Sequence, residues 1–284
     1  MADQSHWDFI NSVMSKFVVT NALHVEEFQM ISQCEAEIIR MCCNMYHGDK
    51  DTCGLISSGG TESIILACLA ARERGKERGV TMPNMVMSNT AHAAFDKASF
   101  MLGIELRKVP VTKDFRCDFK AMKAMVDSNT VLLVSSAPEY PYGNYDPAPE
   151  IAALALKWGI NCHLDACLGS FINPFIEECG YKLPFKIDFR VPGITSISCD
   201  PHKYGMGPKG VSVLMFRDSK YRQYQFFATS TWNGGLYATT NVAGSRPGNV
   251  IVSTWAVMLK TGREGYIKCA QQVLDACQGI RKAV

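Results

Sequence analysis

Short apolar segments alternate with helical patterns along most of this chain. Apolar, often β-branched runs predict strands at residues 84–88, 106–111, 131–136, 162–165, 194–197 and 211–216. Amphipathic or alanine-rich stretches predict helices at residues 24–46, 61–78, 119–126, 149–158 and 249–284. Such alternation favours an α/β fold, in which the strands form one sheet and the helices cover its faces.

One of these strands leads directly into the sequence SCDPHKYG, which runs from Ser198 to Gly205. Pro201 has no N–H and stops the strand, so His202 and Lys203 lie on the loop where the strand leaves the sheet. Ligands gather at such strand ends in open α/β sheets. Lys203 can therefore be the amine that forms a Schiff base with an aldehyde cofactor such as pyridoxal phosphate (PLP). The alternative is an ordinary loop lysine.

A second informative stretch, SSGGTES, places two glycines before the helix predicted to begin at Thr61. Glycines let the backbone approach an anion closely, and the free N–H groups and dipole of a helix N-terminus favour a phosphate. The stretch is neither a GxGxxG motif nor a Walker A loop. A plain helix cap, with Thr61 or Ser58 as the N-cap residue, is the alternative interpretation.

Other candidate site residues also lie at the ends of predicted elements. Asp165 ends an apolar strand, where a carboxylate needs a partner; it could hold a pyridine nitrogen in its protonated form, or be a helix-capping or loop aspartate. His92 could stack on a flat ring or be a half-buried structural histidine. Tyr142 could donate a hydrogen bond or only pack. The cationic loop at residues 244–248 suits a phosphate or carboxylate, or is a turn with a solvated arginine.

Composition excludes several other classes of protein. The 284 residues are 47% apolar and 20% charged, which is typical of a globular protein, and the net charge of +2 suggests no polyanion partner such as a nucleic acid. The 12 cysteines include no CxxC pair, so we expect reduced core residues and neither disulfides nor a metal site. No apolar run is long enough for a membrane helix and no signal peptide is present, which predicts a soluble chain.

Several strings together resemble one family. SSGGTES, NTAHAAFDKAS, HLDACLGSF, ITSISCDPHKYGMGPKG, YRQYQFF and AGSRPG are similar to the PLP-dependent group II decarboxylase family, over residues 16–284. The GGTES, HxDA and HKYG motifs indicate the wider family, and the other strings indicate the branch that cleaves sphingoid base phosphates. The resemblance implies an aspartate-aminotransferase-like large domain with a mixed, mostly parallel sheet flanked by helices.

The resemblance also implies roles for individual residues around PLP. Lys203 would bind the cofactor covalently, Asp165 would contact the pyridine nitrogen, and His92 would stack on the ring. Tyr142 falls where relatives place a histidine or tyrosine near the reaction. The cofactor phosphate would be held by Gly60, Thr61 and His202.

Further residues are implied in contacts across subunits and with substrate. Gly244 and Ser245 would complete the phosphate site of a neighbouring subunit, which predicts a homodimer with shared active sites. Asn21 and His24, in the string NALH, would lie near the substrate phosphate, although this chain has alanine where the family string has proline. Lys209 would be a second lysine near the reacting centre.

The implied reaction is cleavage of the C2–C3 bond of a sphingoid base phosphate to a long-chain aldehyde and phosphoethanolamine, as in sphingolipid catabolism. Relatives of this kind act on the cytosolic side of the endoplasmic reticulum. Two alternatives stay open. The chain could be a truncated, weakly active or inactive paralogue that dimerises with a full-length subunit, or a PLP-dependent decarboxylase of amino acids.

Three segments are expected from this comparison. Residues 1–50 would form an N-terminal segment with a long helix, residues 51–248 the PLP-binding large domain, and residues 249–284 a connecting helix. The small C-terminal domain of the family, its membrane anchor and an upstream segment with an active-site tyrosine are expected to be absent from the chain.

Overall fold

A seven-stranded sheet forms the centre of the protein. The structure is a computed structural model that describes residues 3–283. The strands are β1 (Cys53–Ser57), β2 (Asn84–Ser88), β3 (Glu105–Val109), β4 (Thr130–Ser136), β5 (Asn161–Asp165), β6 (Ser196–Cys199) and β7 (Ser212–Phe216). Their order across the sheet is β1-β7-β6-β5-β4-β2-β3. A separate hairpin pairs β8 (Phe227–Thr229) with β9 (Tyr237–Thr239).

The direction of the strands brings the candidate motifs to one edge. β7 runs antiparallel to both of its neighbours, β1 and β6, whereas β6, β5, β4, β2 and β3 are parallel. The carboxyl ends of β1, β4, β5 and β6 therefore meet at the same edge, because β1 and β6 point the same way. The predicted mixed, mostly parallel sheet is confirmed.

Helices cover both faces of this sheet. They are α1 (Gln4–Met14), α2 (Gln29–Met45), α3 (Gly60–Glu77), α4 (Ala94–Leu102), α5 (Phe119–Met125), α6 (Ala148–Trp158), α7 (Ser219–Arg222) and α8 (Gly248–Ala283). Side chains alternate along a strand, and β2 shows the result. Met85 and Met87 pack into the cluster formed with α3 and α4, whereas Val86 packs into the larger cluster formed with α2, α6 and α8.

The helix predicted at residues 24–46 begins later than expected, at Gln29. Residues 21–28 form turns instead. The side chain of Asn21 accepts a hydrogen bond from the Leu23 N–H, and the backbone carbonyl of Asn21 accepts one from the His24 N–H. Asparagine side chains that bond their own backbone compete with helix formation, so the apolar periodicity overestimated the helix at its start.

Two other predicted elements have different bounds. The strand predicted at residues 194–197 lies two residues further along, at Ser196–Cys199. The helical region predicted at 249–284 is divided by Gly262, whose φ of 61° and ψ of 173° are not helical. Residues 1, 2 and 284, which belong to the predicted terminal segments, lie outside the described residues. Across residues 3–283, no helix combines the length and the apolar character that crossing a membrane requires.

Candidate active site

The carboxyl edge of the sheet holds a cavity of about 390 Å³. Half of the residues singled out by sequence line it: Gly60, Thr61, His92, Asp165, His202 and Lys203. A smaller cavity of about 200 Å³ opens beside it and shares His92, Asp165 and Lys203 as walls. We call the two cavities together the cleft. Residues separated by more than 140 positions in the sequence thus surround one space.

Lys203 lies on a tightly folded loop. Its own N–H donates to the carbonyl of Asp200 at 3.0 Å, and its carbonyl accepts from the Met206 N–H at 3.0 Å. Helix α8 holds the same loop from the other side, since the hydroxyl of the buried Tyr266 donates to the Gly205 carbonyl at 3.0 Å. The loop therefore presents the lysine from a backbone that is fixed on both sides.

The amine of Lys203 is paired with a buried carboxylate. Its Nζ lies 3.1 Å from Oδ2 of Asp200, a side chain that is only 1% exposed. Burial is the largest single influence and lowers the pKa of Lys203, but the acidic groups around the amine, Asp200 foremost, together outweigh burial, so the pKa lies above its ordinary value. In the cofactor-free chain, Lys203 is therefore an ammonium at neutral pH.

Asp165 stands at the end of β5 with its carboxylate held by one oxygen. Oδ1 accepts hydrogen bonds from the Cys167 N–H at 3.1 Å and from the Ser198 hydroxyl at 3.3 Å. Within residues 3–283, Oδ2 makes no hydrogen bond and is left for the cleft. A carboxylate with one oxygen anchored and the other free can accept a hydrogen bond from a ligand nitrogen.

A buried chain of hydrogen bonds supports Asp165 from behind. Ser198 Oγ contacts Nε2 of His163 at 3.2 Å, and Nδ1 of His163 contacts Ser196 Oγ at 2.9 Å. Burial lowers the pKa of His163 to about 4, so the ring is neutral. Because Ser198 donates to Asp165, it must accept from His163, which places the single ring proton on Nε2.

The N-terminus of α3 faces the same cavity without a side-chain cap. Its N-cap residue, Gly59, makes no side-chain hydrogen bond. A Cβ on Gly60 would lie 2.8 Å from Asp200 Oδ2 and 2.9 Å from Cys167 Sγ, so only glycine fits there. The side chain of Glu62 turns back to accept from the Ser58 N–H at 2.7 Å. Uncapped N–H groups at a helix N-terminus favour a phosphate.

Two histidines complete the walls of the cleft. Nδ1 of His92 accepts from the Ala94 N–H at 3.0 Å, which orients the exposed ring at the mouth of the cleft. Nδ1 of His202 is 2.7 Å from the Val211 carbonyl. A carbonyl only accepts, so this nitrogen carries a proton. The other nitrogen, Nε2, lies 3.6 Å from Asp200 Oδ2.

A second group of predicted residues lies next to the cleft but does not line it. The Asn21 amide donates to Ser245 Oγ at 3.0 Å, and Lys209 and Ser245 border another cavity of about 250 Å³. Lys209 also donates to the carbonyl of His202 at 2.8 Å. Gly244 is half-buried in the adjoining loop and the side chain of His24 is exposed. In one chain, these residues therefore form a separate cluster.

Tyr142 is also outside the cleft. Its ring centroid lies 4.5 Å from that of Phe115, and the side chain is mostly exposed. Tyr140, two residues earlier, lines the smaller cavity instead.

Sequence reasoning also missed Asp200 and Ser198 as site residues. Asp200 carried a usable signal, because it ends an apolar strand in the same way as Asp165.

Comparison with known proteins identifies the family of the chain. The profile described as "Pyridoxal-dependent decarboxylase conserved domain" matches residues 5–284. The chain belongs to this family. Among its curated relatives, sphingosine-1-phosphate lyase 1 of Rattus norvegicus is 46% identical over 94% of this chain and 47% of the relative. Sphingosine-1-phosphate lyase of Saccharomyces cerevisiae is 43% identical over 95% of this chain and 46% of the relative. The chain spans about half the length of these relatives.

Solved structures support the same fold. The sphingosine-1-phosphate lyase of Burkholderia pseudomallei is 40% identical, with a TM-score of 0.92 over 95% of this chain and 64% of the other. The glutamate decarboxylase of Lactobacillus brevis has a TM-score of 0.85 at 23% identity, which shows the shared fold alone. The predicted aspartate-aminotransferase-like, PLP-dependent fold is therefore confirmed.

The cofactor of this family is pyridoxal phosphate, and the residues of the cleft fit it. The cavity of about 390 Å³ is in the range of small-molecule sites. It offers an uncapped helix N-terminus for a phosphate, the free Oδ2 of Asp165 for a ring nitrogen and the amine of Lys203 for an aldehyde. Residues 3–283 contain no cluster of side chains suited to a metal ion.

Proposed function

We propose that this chain forms the cofactor-binding part of a lyase that cleaves the C2–C3 bond of sphingoid base phosphates. The products would be a long-chain aldehyde and phosphoethanolamine. The observation that carries the proposal is the single cavity shared by Lys203, Asp165 and the N-terminus of α3. The 46% identity to a sphingosine-1-phosphate lyase supports the choice of reaction within the family.

Each site residue would bind a different part of the cofactor. Lys203 would bind its aldehyde carbon, and Asp165 Oδ2 would hold the proton on its ring nitrogen. His92, at the mouth of the cleft, would lie against the ring. Its phosphate would be bound by Gly60, Thr61 and His202. When bound, pyridoxal phosphate supplies an electron sink that stabilises a carbanion on the carbon bearing the substrate amine.

The remaining chemistry falls to side chains that position the substrate and carry protons. Cleavage needs a group that removes the proton from the C3 hydroxyl as the C2–C3 bond breaks. Lys203 Nζ, inside the cleft, is a group that can hold or release a proton. Lys209 and Tyr142 stay predictions for this role. The chain holds them outside the cleft, so a contribution from either would need a neighbouring subunit or a rearranged loop.

The partners and setting of the protein are part of the proposal. A homodimer would let Gly244 and Ser245 reach the phosphate of a second subunit, and Asn21 and His24 would then bind the substrate phosphate. The hydrogen bond between Asn21 and Ser245 supports a common place for these residues. The relatives also lead us to propose the cytosolic side of the endoplasmic reticulum as the site of action.

The test begins with cofactor binding by the purified chain. After PLP is added, the wild type should develop a visible absorbance band that Lys203→Ala lacks. Lys108→Ala is the matched control, because Lys108 is a partly exposed lysine paired with Asp96 and does not line either cavity of the cleft. A folded wild type without a band would refute the cofactor-binding role of Lys203.

The second step identifies the reaction. Sphingosine 1-phosphate is supplied to the loaded protein, and long-chain aldehyde is measured. Aldehyde release supports the lyase. Carbon dioxide release from amino acids, with no aldehyde, would favour the decarboxylase alternative. Cofactor binding without either product would favour the paralogue that acts by pairing with a longer subunit.

A further inference from the structure

Asp200 is a buried carboxylate with an incomplete set of partners. It is 1% exposed, and Oδ1 has no hydrogen-bond partner among the described residues. Oδ2 lies 3.1 Å from Lys203 Nζ and 3.6 Å from His202 Nε2. A buried carboxylate is strongly destabilising without a compensating charge. Lys203 is the nearest such charge, so the two groups depend on each other.

The backbone fixes Asp200 independently of this pair. Its N–H donates to the Ser170 hydroxyl at 3.1 Å, and that hydroxyl in turn donates to the Cys167 carbonyl at 2.6 Å, with the Asp200 carbonyl also 3.1 Å from it. The restricted φ of Pro201 follows directly. The carboxylate is therefore held in place by the fold, and the flexible lysine side chain comes to it.

We propose that Asp200 positions Lys203 and restrains its reactivity, by holding the amine as an ammonium until an aldehyde enters the cleft. This inference rests on the role proposed above for Lys203. An ammonium has no lone pair and cannot attack a carbonyl. The ammonium must therefore first release one proton to solvent, which reaches the one-third exposed lysine side chain. The neutral amine then donates its lone pair to the aldehyde carbon, a C–N bond forms, and the carbonyl oxygen leaves as water with the two remaining protons of the nitrogen. His202 Nε2, 3.6 Å from Asp200 Oδ2, remains beside the carboxylate after Lys203 has lost its charge.

Other titratable groups also face the lysine. Asp165, at the end of β5, also favours the charged form of Lys203, but more weakly than Asp200 does. Cys167 is a further neighbour, and burial raises the pKa of its thiol, which keeps the thiol protonated. The further titratable groups that line the same cavity are His92, His202 and Glu62. Among residues 3–283, only Asp200 forms an ion pair with the amine, so its removal should dominate any change in reactivity.

The test measures the reactivity of Lys203 without any cofactor. The chain is labelled with trace acetic anhydride between pH 7 and pH 9, and acetylation of each lysine is quantified by peptide mass spectrometry. In Asp200→Asn, Lys203 should label about tenfold faster or more at a given pH, because the opposite charge that favours the ammonium is lost. An unchanged rate for Lys203 would overturn the proposal.

A surface pair provides the matched control. Lys108 Nζ lies 2.6 Å from Asp96 Oδ1, and both side chains are roughly two-fifths exposed. Solvent screens such a pair, so Asp96→Asn should change the labelling of Lys108 less than about threefold. If Asp200→Asn does not fold, the wild type remains informative. Its Lys203 should need a higher pH for labelling than free Nα-acetyl-lysine amide in the same tube, and a lower pH would contradict the inference.

A second readout separates this inference from the proposed function. PLP capture is followed by absorbance at pH 7, and Asp200→Asn should capture it faster than the wild type. Faster capture supports both ideas. Faster acetylation in a variant that never captures PLP would support the pairing of Asp200 with Lys203 while refuting the cofactor role of the lysine.

Discussion

Replacing Ser198 by alanine tests the hydrogen-bond chain behind Asp165. The Ser198 hydroxyl donates to Asp165 Oδ1 at 3.3 Å and accepts from His163 Nε2 at 3.2 Å. The substitution therefore removes one of the two bonds that anchor the carboxylate and leaves a buried imidazole N–H without an acceptor. The His163 ring is fully buried, so water does not replace its lost acceptor.

The size of the effect follows from these two losses. A hydrogen bond to a charged group contributes about 1.5–3 kcal/mol, and an orphaned buried donor costs about 1–3 kcal/mol. The bond to Asp165, at 3.3 Å, is longer than is usual between two oxygens, and the bond from His163, at 3.2 Å, is at the upper limit for a nitrogen donor, so the lower ends apply. We expect the free energy of unfolding to fall by about 2.5 kcal/mol. We also expect pyridoxal phosphate to bind about tenfold more weakly, since one anchor of Asp165 is lost.

Ser135→Ala is the control, because it makes the same change in β4, on the other side of β5 from Ser198. Ser135 is fully buried in β4, but its hydroxyl has no hydrogen-bond partner within residues 3–283. Its removal should change the free energy of unfolding by less than about 0.5 kcal/mol, or raise it slightly. Urea denaturation at pH 7 measures both variants. Equal stability of Ser198→Ala and Ser135→Ala would refute the proposed chain.

Two further predictions concern the glycine stretch and pH. Gly60→Ala should lower the free energy of unfolding by about 1–3 kcal/mol, since its Cβ would press against the fixed Asp200 carboxylate. Gly59→Ala is the control, because a Cβ at Gly59 would have no atom within 4 Å. Its free energy of unfolding in the same urea assay should be within about 0.5 kcal/mol of that of the wild type. Burial lowers the pKa of His163 in the folded chain to about 4, below its ordinary value of 6.5, so the unfolded chain binds the extra proton and stability is lost as pH falls from 6.5 towards 4. The stability difference between wild type and His163→Gln should therefore shrink over that range, and a constant difference would show that His163 titrates normally.

Much of the fold could be predicted from local sequence. The strand at Asn84–Ser88 and the helix at Gly60–Glu77 agree with their predicted bounds to within one residue, because each has an apolar pattern ended by a turn or a glycine. The positions of Asp165 and Lys203 at strand ends followed from the same patterns. Strand ends at one edge of a largely parallel sheet must converge, so the existence of a shared cleft could also be predicted.

Other features of the site could not be predicted in this way. Asn21 and Ser245 are brought together by the packing of two loops, and no local pattern encodes that contact. Tyr140 and Tyr142 occupy the same turn-rich string, and only the path of the loop decides that the first lines the cleft while the second packs on Phe115. The predicted division at residues 50 and 248 stays a prediction.

The sequence by itself determined the α/β class, the family and the set of residues available for cofactor chemistry, since these depend on periodicity and on short motifs. Only the tertiary structure decided which of those residues share a cavity and what charge surrounds Lys203. The physical reason is that burial and long-range pairing are properties of the packed chain. Asp200 is an ordinary acidic residue in the sequence, and it becomes a partner of Lys203 only where the fold excludes water from its carboxylate.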